Sequence, residues 1–266
     1  MLDHLPKGRD FVAVDDGPAP SARRIVVVNW TLAAENLVDA LRSVVGGGGE
    51  VVCVGSTAAA EVDLHWASLP ADRTSVRYVP APGASDDVDA LANVLATGVD
   101  IASAHSIIVL PDHHAREPDA NSRVTCVAVA RACEGKRIPN ILVEVRDPEA
   151  AYEFAGLGVA TVFYPGYLRA ALLAHACVDL GVFQFLYGLL RGDLRVTLLP
   201  VDAGLRERTF YDAVLAHEED DDGRPVTLIG VQVEPGADAV GQMVINPGPK
   251  FSLGKASGLL ALREGL

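Results

Sequence analysis

With 266 residues, half of them apolar and 21% charged, the chain is long enough for a sizeable core and too hydrophobic for disorder. A formal charge of −13 disfavours nucleic acid and anionic membrane surfaces, which reward clustered Lys and Arg, and leaves cations, neutral ligands or other subunits as partners. The four cysteines, Cys53, Cys126, Cys133 and Cys177, form no CxxC pair and sit in apolar neighbourhoods, so they read as buried reduced thiols of a cytosolic protein.

Residues 1–22 carry Pro6, Pro18 and Pro20 with little periodicity and no apolar core of a secretory signal, and are expected to be an incoming linker. From there to about residue 165, short β-branched runs alternate with helical patterns. Strands are expected at RIVVVN, EVVCVG, SVRYVP, SIIVLP, NILVEV and ATVFYP. These runs are continuously apolar, as in parallel strands covered on both faces. In the first helix Ala34, Leu37, Val38, Leu41, Val44 and Val45 share one face, Thr31 is placed to cap it, and Gly46 to Gly49 end it. A third helix is expected over about 86–97 and a fourth, apolar nearly all round, over 119–134. The fold class is therefore α/β, a doubly wound parallel sheet spanning 23–165.

Residues 168–190 form a long apolar run, but His175, Asp179 and Gln184 interrupt it and Gly181 divides it. Two short helices packed against protein explain it better than one transmembrane span. Residues 166–192 are thus expected to be crossover helices. Their apolar surface, carried by Leu168, Leu172, Leu173, Val182, Phe183, Phe185, Leu186 and Leu189, is expected to pair two copies. Residues 193–266 then read as a small α+β domain of short strands with one helix near TFYDAVLA.

Ligands of open parallel sheets bind beyond the carboxyl ends of the strands. Those tips carry Asn29, Trp30 and Thr31; Gly55 and Ser56; Asp112 and His113; and Glu144 and Arg146, the candidate ligand-binding set. Neither the G-x-G-x-x-G of a dinucleotide loop nor an acid at the second tip is present, so conventional NAD binding is disfavoured. Asn29 and Thr31 keep hydrogen-bonding capacity, and Trp30 reads as a lid or packing residue. Asp112, His113 and Glu144 are weak candidates for a metal, because adjacent histidines point apart in extended backbone and no HxxxH spacing occurs. A solvated, helix-capping acidic loop is the favoured reading of residues 111–119, and a charged hairpin that of 217–225. Glu144 ends an apolar strand and needs a partner if buried, with Arg146 two residues on as one option. No nucleophile–base set or paired-carboxylate cleft announces an enzyme.

Four stretches, IVVVNWTLAAENLVDAL, HSIIVLPDHHAREPDANSRV, NILVEVRDPEAAYEFAGLGVATVFYP and VINPGPKFSLGKASGLLAL, taken in this order, resemble the RCK (regulator of K⁺ conductance, TrkA-type) family. The nearest likeness is to Castor/Pollux-type and calcium-gated channel members. The resemblance implies a cytosolic gating domain of a potassium channel or transporter at the cytosolic face of the membrane. It further implies a homodimer, extending to an octameric gating ring, joined in cis or in trans to a pore-forming part. Glu144 matches the first of two acids that calcium-gated relatives carry on the fifth strand, and Arg146 stands where the second would be. The ligand is left as a divalent or monovalent cation or a nucleotide. A nucleotide-binding sensor or oxidoreductase with a degenerate phosphate loop is the alternative.

Overall fold

In this computed structural model the described residues are 23–45, 49–68, 75–84, 86–220, 222–233 and 242–264; the expected linker, residues 1–22, lies outside them. The chain divides into two compact units, residues 1–168 and 169–266.

The first unit is built on six parallel strands: β1 (Arg24–Val28), β2 (Glu50–Gly55), β3 (Val76–Pro80), β4 (Ser106–Val109), β5 (Asn140–Glu144) and β6 (Val159–Phe163). Their order is β3-β2-β1-β4-β5-β6, so the winding reverses between β1 and β4. β1 and β2 are buried along nearly their whole length, which is why they read as unbroken apolar runs. One face of the sheet is covered by α1 (Glu35–Val45) and α2 (Ala59–Ala67), where Val38 and Val62 pack with Val27, Val51, Cys53 and Trp30. The other is covered by α3 (Val88–Asn93) and α4 (Pro118–Ala132), around Leu91, Leu95, Ile107 and Val129.

Two local expectations change. Thr31 precedes a 3₁₀ turn (Leu32–Ala34) rather than α1 itself, and its side chain makes no capping bond. The third helix starts behind Asp87, whose carboxylate accepts from Asp89 N and Ala90 N, and runs past residue 97 as a wide π-helical segment, Val94–Val99. The segment's terminal carbonyls accept from guanidiniums, Val99 O from Arg24 and Gly98 O from Arg77. The fifth connection is a 3₁₀ segment, Pro148–Phe154, ended by Gly156 and Gly158 at positive φ.

Next come α5 (Pro165–Val178) and α6 (Leu180–Arg191). The break falls at Asp179 rather than Gly181, because the Asp179 carboxylate accepts from Gly181 N and Val182 N and starts a new helix. Among the described residues no helix is long and apolar enough to cross a membrane. The second unit is completed by the antiparallel sheet β7-β10-β8-β9, formed by β7 (Leu194–Pro200), β8 (Val226–Val233), β9 (Gln242–Ile245) and β10 (Ala256–Glu264), with α7 (Phe210–Ala216). Phe210, Ala213, Leu228, Val231, Leu259 and Ala261 make its core. Three cysteines are buried as expected; Cys177 is exposed, because α5 buries none of its residues.

Candidate functional site at the strand tips

The β1 tip turns sharply without glycine. Asn29 adopts φ +62°, a left-handed conformation that Asn tolerates better than most residues. Its Nδ2 then donates to Leu110 O (3.0 Å) at the end of β4 and to Thr125 Oγ1 (3.2 Å) on α4. Thr125 is fully buried and donates in turn to Asn121 O. Asn29 is therefore committed to joining β1, β4 and α4, rather than forming a free polar rim.

Trp30 is fully buried, beside Trp66 and Tyr78 at centroid distances of 5.7 and 5.6 Å. It is a packing residue and not a lid. Its carbonyl presses on Gly55: a Cβ there would stand 2.1 Å from Trp30 O, so only glycine fits the second tip. The Tyr78 hydroxyl closes the same corner with Gly55 O (2.8 Å) and Thr57 O (2.7 Å), and burial pushes its pKa up to about 12.

Asn29, Thr31, Gly55, Ser56 and Asp112 do meet in one cleft with Gly83, at the switch point the topology designates. Its volume is about 10 Å³, room for roughly one water. The first turn of α1 also carries Glu35, whose carboxylate accepts from Trp66 Nε1 (3.2 Å) and places negative charge where a phosphate would need positive potential. The residues present do not fit a pyrophosphate.

Asp112, in the cleft wall, accepts from His114 N (2.9 Å) and Asn121 Nδ2 (3.1 Å), whereas His113, Glu144 and Arg146 do not line the cleft. Glu144 is half-buried at the end of β5; burial raises its pKa, against the opposing charge of His113. Arg146 is exposed and not paired with Glu144; its backbone N–H, with that of Asp147, donates to the Asp119 carboxylate across the β5–α4 gap. Among the described residues no group of three His, Cys, Asp or Glu side chains is placed to hold a metal, so Asp112, His113 and Glu144 are not brought together as a ligand set. Thr125, Asn121 and Tyr78 were not candidates from the sequence. They stand far from the tips along the chain and inside regular elements, where no local motif marks them.

No protein-family model matches the sequence, and no curated protein matches it significantly. Among solved structures, the human SLO3 gating ring is similar with a TM-score of 0.58 at 11% identity, over 90% of this chain and 44% of that one. The chain shares its fold with that structure. The GsuK RCK domain matches at TM-score 0.36 and 15% identity, over 93% of this chain and 45% of that one. The TrkA-N domain of inner membrane protein ybaL from Escherichia coli matches at 0.40 and 12%, over 58% of this chain and 95% of that one. The chain thus spans less than half the length of the SLO3 and GsuK chains it matches.

Proposed function

We propose that the chain is a regulatory domain of a potassium channel or transporter, working at the cytosolic face of the membrane as a paired subunit within a gating ring. The observation that carries this reading is the surface of α5 and α6. Helix α5 buries no residue and α6 only Gly188, while Leu173, Val178, Leu180, Phe185 and Leu190 stand 45–88% exposed. Of the expected interface residues, Leu168, Leu173, Val182 and Phe185 are exposed, and Leu172, Phe183, Leu186 and Leu189 half-buried. A free helix does not hold out so many large apolar side chains; a stable interface burying roughly 800 Å² per partner would cover them. The likeness to the SLO3 gating ring supports the same arrangement.

In this reading a bound ion or small polar molecule acts through its different affinity for two arrangements of the paired subunits, and that difference is the work available to the pore. Light scattering at tens of micromolar is expected to give a dimer or a larger ring. The double substitution Leu173→Glu and Phe185→Glu is expected to give a monomer with unchanged far-ultraviolet circular dichroism. A wild-type chain that is strictly monomeric at that concentration overturns the proposal.

A further inference from the structure

The antiparallel sheet of the second unit has two faces, and α7 covers one of them. On the covered face Leu228, Val231, Leu259 and Ala261 are buried with Phe210 and Ala213 of the helix. An antiparallel sheet whose other face meets water alternates apolar inward with polar outward. β7 does the reverse. Residues directly opposite in an antiparallel pair share a face, and Ala261 stands opposite Thr197 and Arg263 opposite Arg195. β7 therefore turns Arg195 and Thr197 to the covered side, and its outward residues are Leu194, Val196 and Leu198.

The rest of the outer face agrees. One row of partners crosses all four strands, Leu198–Leu260–Gly230–Ile245, and the next joins Val196 to Leu262 and Thr227. None of these residues belongs to the core under α7, and neither row carries a charge. Val196 and Leu198 are each 47% exposed and Ile245 61%. Two glycines flatten the face. A Cβ at Gly258 would stand 2.6 Å from the Leu198 side chain, and one at Gly230 3.3 Å from that of Ile245, so these side chains take space a Cβ would need.

Size decides what can cover such a face. Strands about 4.8 Å apart and rows about 7 Å apart give it roughly 300 Å², whereas a stable partner covers roughly 800 Å² a side. It is therefore one portion of a larger interface. At its margin Leu194 meets α6: a Cβ on Gly188, the buried residue of that helix, would stand 3.7 Å from the Leu194 side chain. The apolar surface of α6 and that of the sheet adjoin there.

We propose that the second copy expected on α5 and α6 also covers the outer face of this sheet, an extension that rests on the pairing proposed above. One interface then runs from helix to strand in each subunit. A symmetric pair sets apolar surface against apolar surface, which suits two rows without charge.

The test is the mass of the full chain by light scattering over a dilution series. Val196→Lys with Ile245→Lys is expected to weaken self-association at least about 100-fold with unchanged far-ultraviolet circular dichroism. Leu64→Lys, at an apolar position of α2 that is 75% exposed, is expected to leave it unchanged. Should the lysine pair fail to fold, Val196→Ser with Ile245→Ser decides, with a weakening of about ten-fold expected. A folded sheet variant that associates as tightly as the wild type overturns the proposal, as does an equal loss from Leu64→Lys. If the sheet variant keeps wild-type mass while Leu173→Glu with Phe185→Glu gives a monomer, the sheet is excluded and pairing through the helices stands. A monomeric wild-type chain overturns both.

Discussion

The cleft at the strand tips and an open hollow in the second unit, lined by Asp202, His217, Glu219, Asp220, Asp222 and Arg263, both carry polar groups, yet one has room for about one water and the other for about 330 Å³. In the first, Asn29 takes Leu110 and Thr125, Asp112 takes His114 and Asn121, and Tyr78 takes Gly55 and Thr57, while Trp30 Nε1 and Asn121 Oδ1 are buried without a hydrogen-bond partner. In the second, His217 Nε2 and Arg263 Nε make no hydrogen bond, although the charge of Arg263 faces Asp220. The difference teaches that topology designates where a ligand would sit in such a sheet, while side-chain packing decides whether there is room for one, and here Trp30 and its neighbours leave almost none.

If the strand-tip hollow is structure, substitutions there should cost stability in denaturant titrations. The largest loss is expected from Trp30→Ala, about 3–5 kcal/mol for emptying a fully buried indole site. Gly55→Ala follows at about 2–3 kcal/mol, because the new methyl meets a backbone oxygen that cannot swing away. Asn29 offers a sharper comparison. Asn29→Ala loses both hydrogen bonds and strains a left-handed residue, about 2 kcal/mol, whereas Asn29→Gly keeps the conformation and should cost clearly less. Equal losses from the two variants would mean that the turn does not depend on its dihedral angle.

The smallest effect is expected at Glu144. Its carboxyl binds a proton at higher pH in the folded chain than in the unfolded one, because burial raises its pKa. The folded state then holds more protons as pH rises from the ordinary glutamate value through the folded value, so stability falls across that window and the penalty persists at neutral pH. Glu144→Gln should therefore gain on the order of 0.5 kcal/mol at neutral pH and nothing below the window. A loss at neutral pH would instead show that the charge has a favourable partner, and His113→Ala would identify it.

Much of the architecture was legible because β1 and β2 are buried along nearly their whole length and α1 buries one stripe, which print period and continuity directly on the sequence. The candidate tips were legible for the same reason, since the ends of apolar runs are the ends of strands. What Asn29 does there was not legible: its partner Thr125 lies 96 residues away, in the middle of a helix. The π-helical end of the third helix was hidden likewise, because its carbonyls accept from arginines on β1 and β3, more than twenty residues distant.

The indole cluster also has an optical consequence. The chain has two tryptophans, and both stand together on one side of the parallel sheet, so its intrinsic emission comes from a single spot in the first unit. The second unit contributes only the phenols of Tyr187 and Tyr211. Emission followed on heating therefore reads the melting of one half of the molecule, and overlaying it on backbone ellipticity tells whether the two halves melt as one.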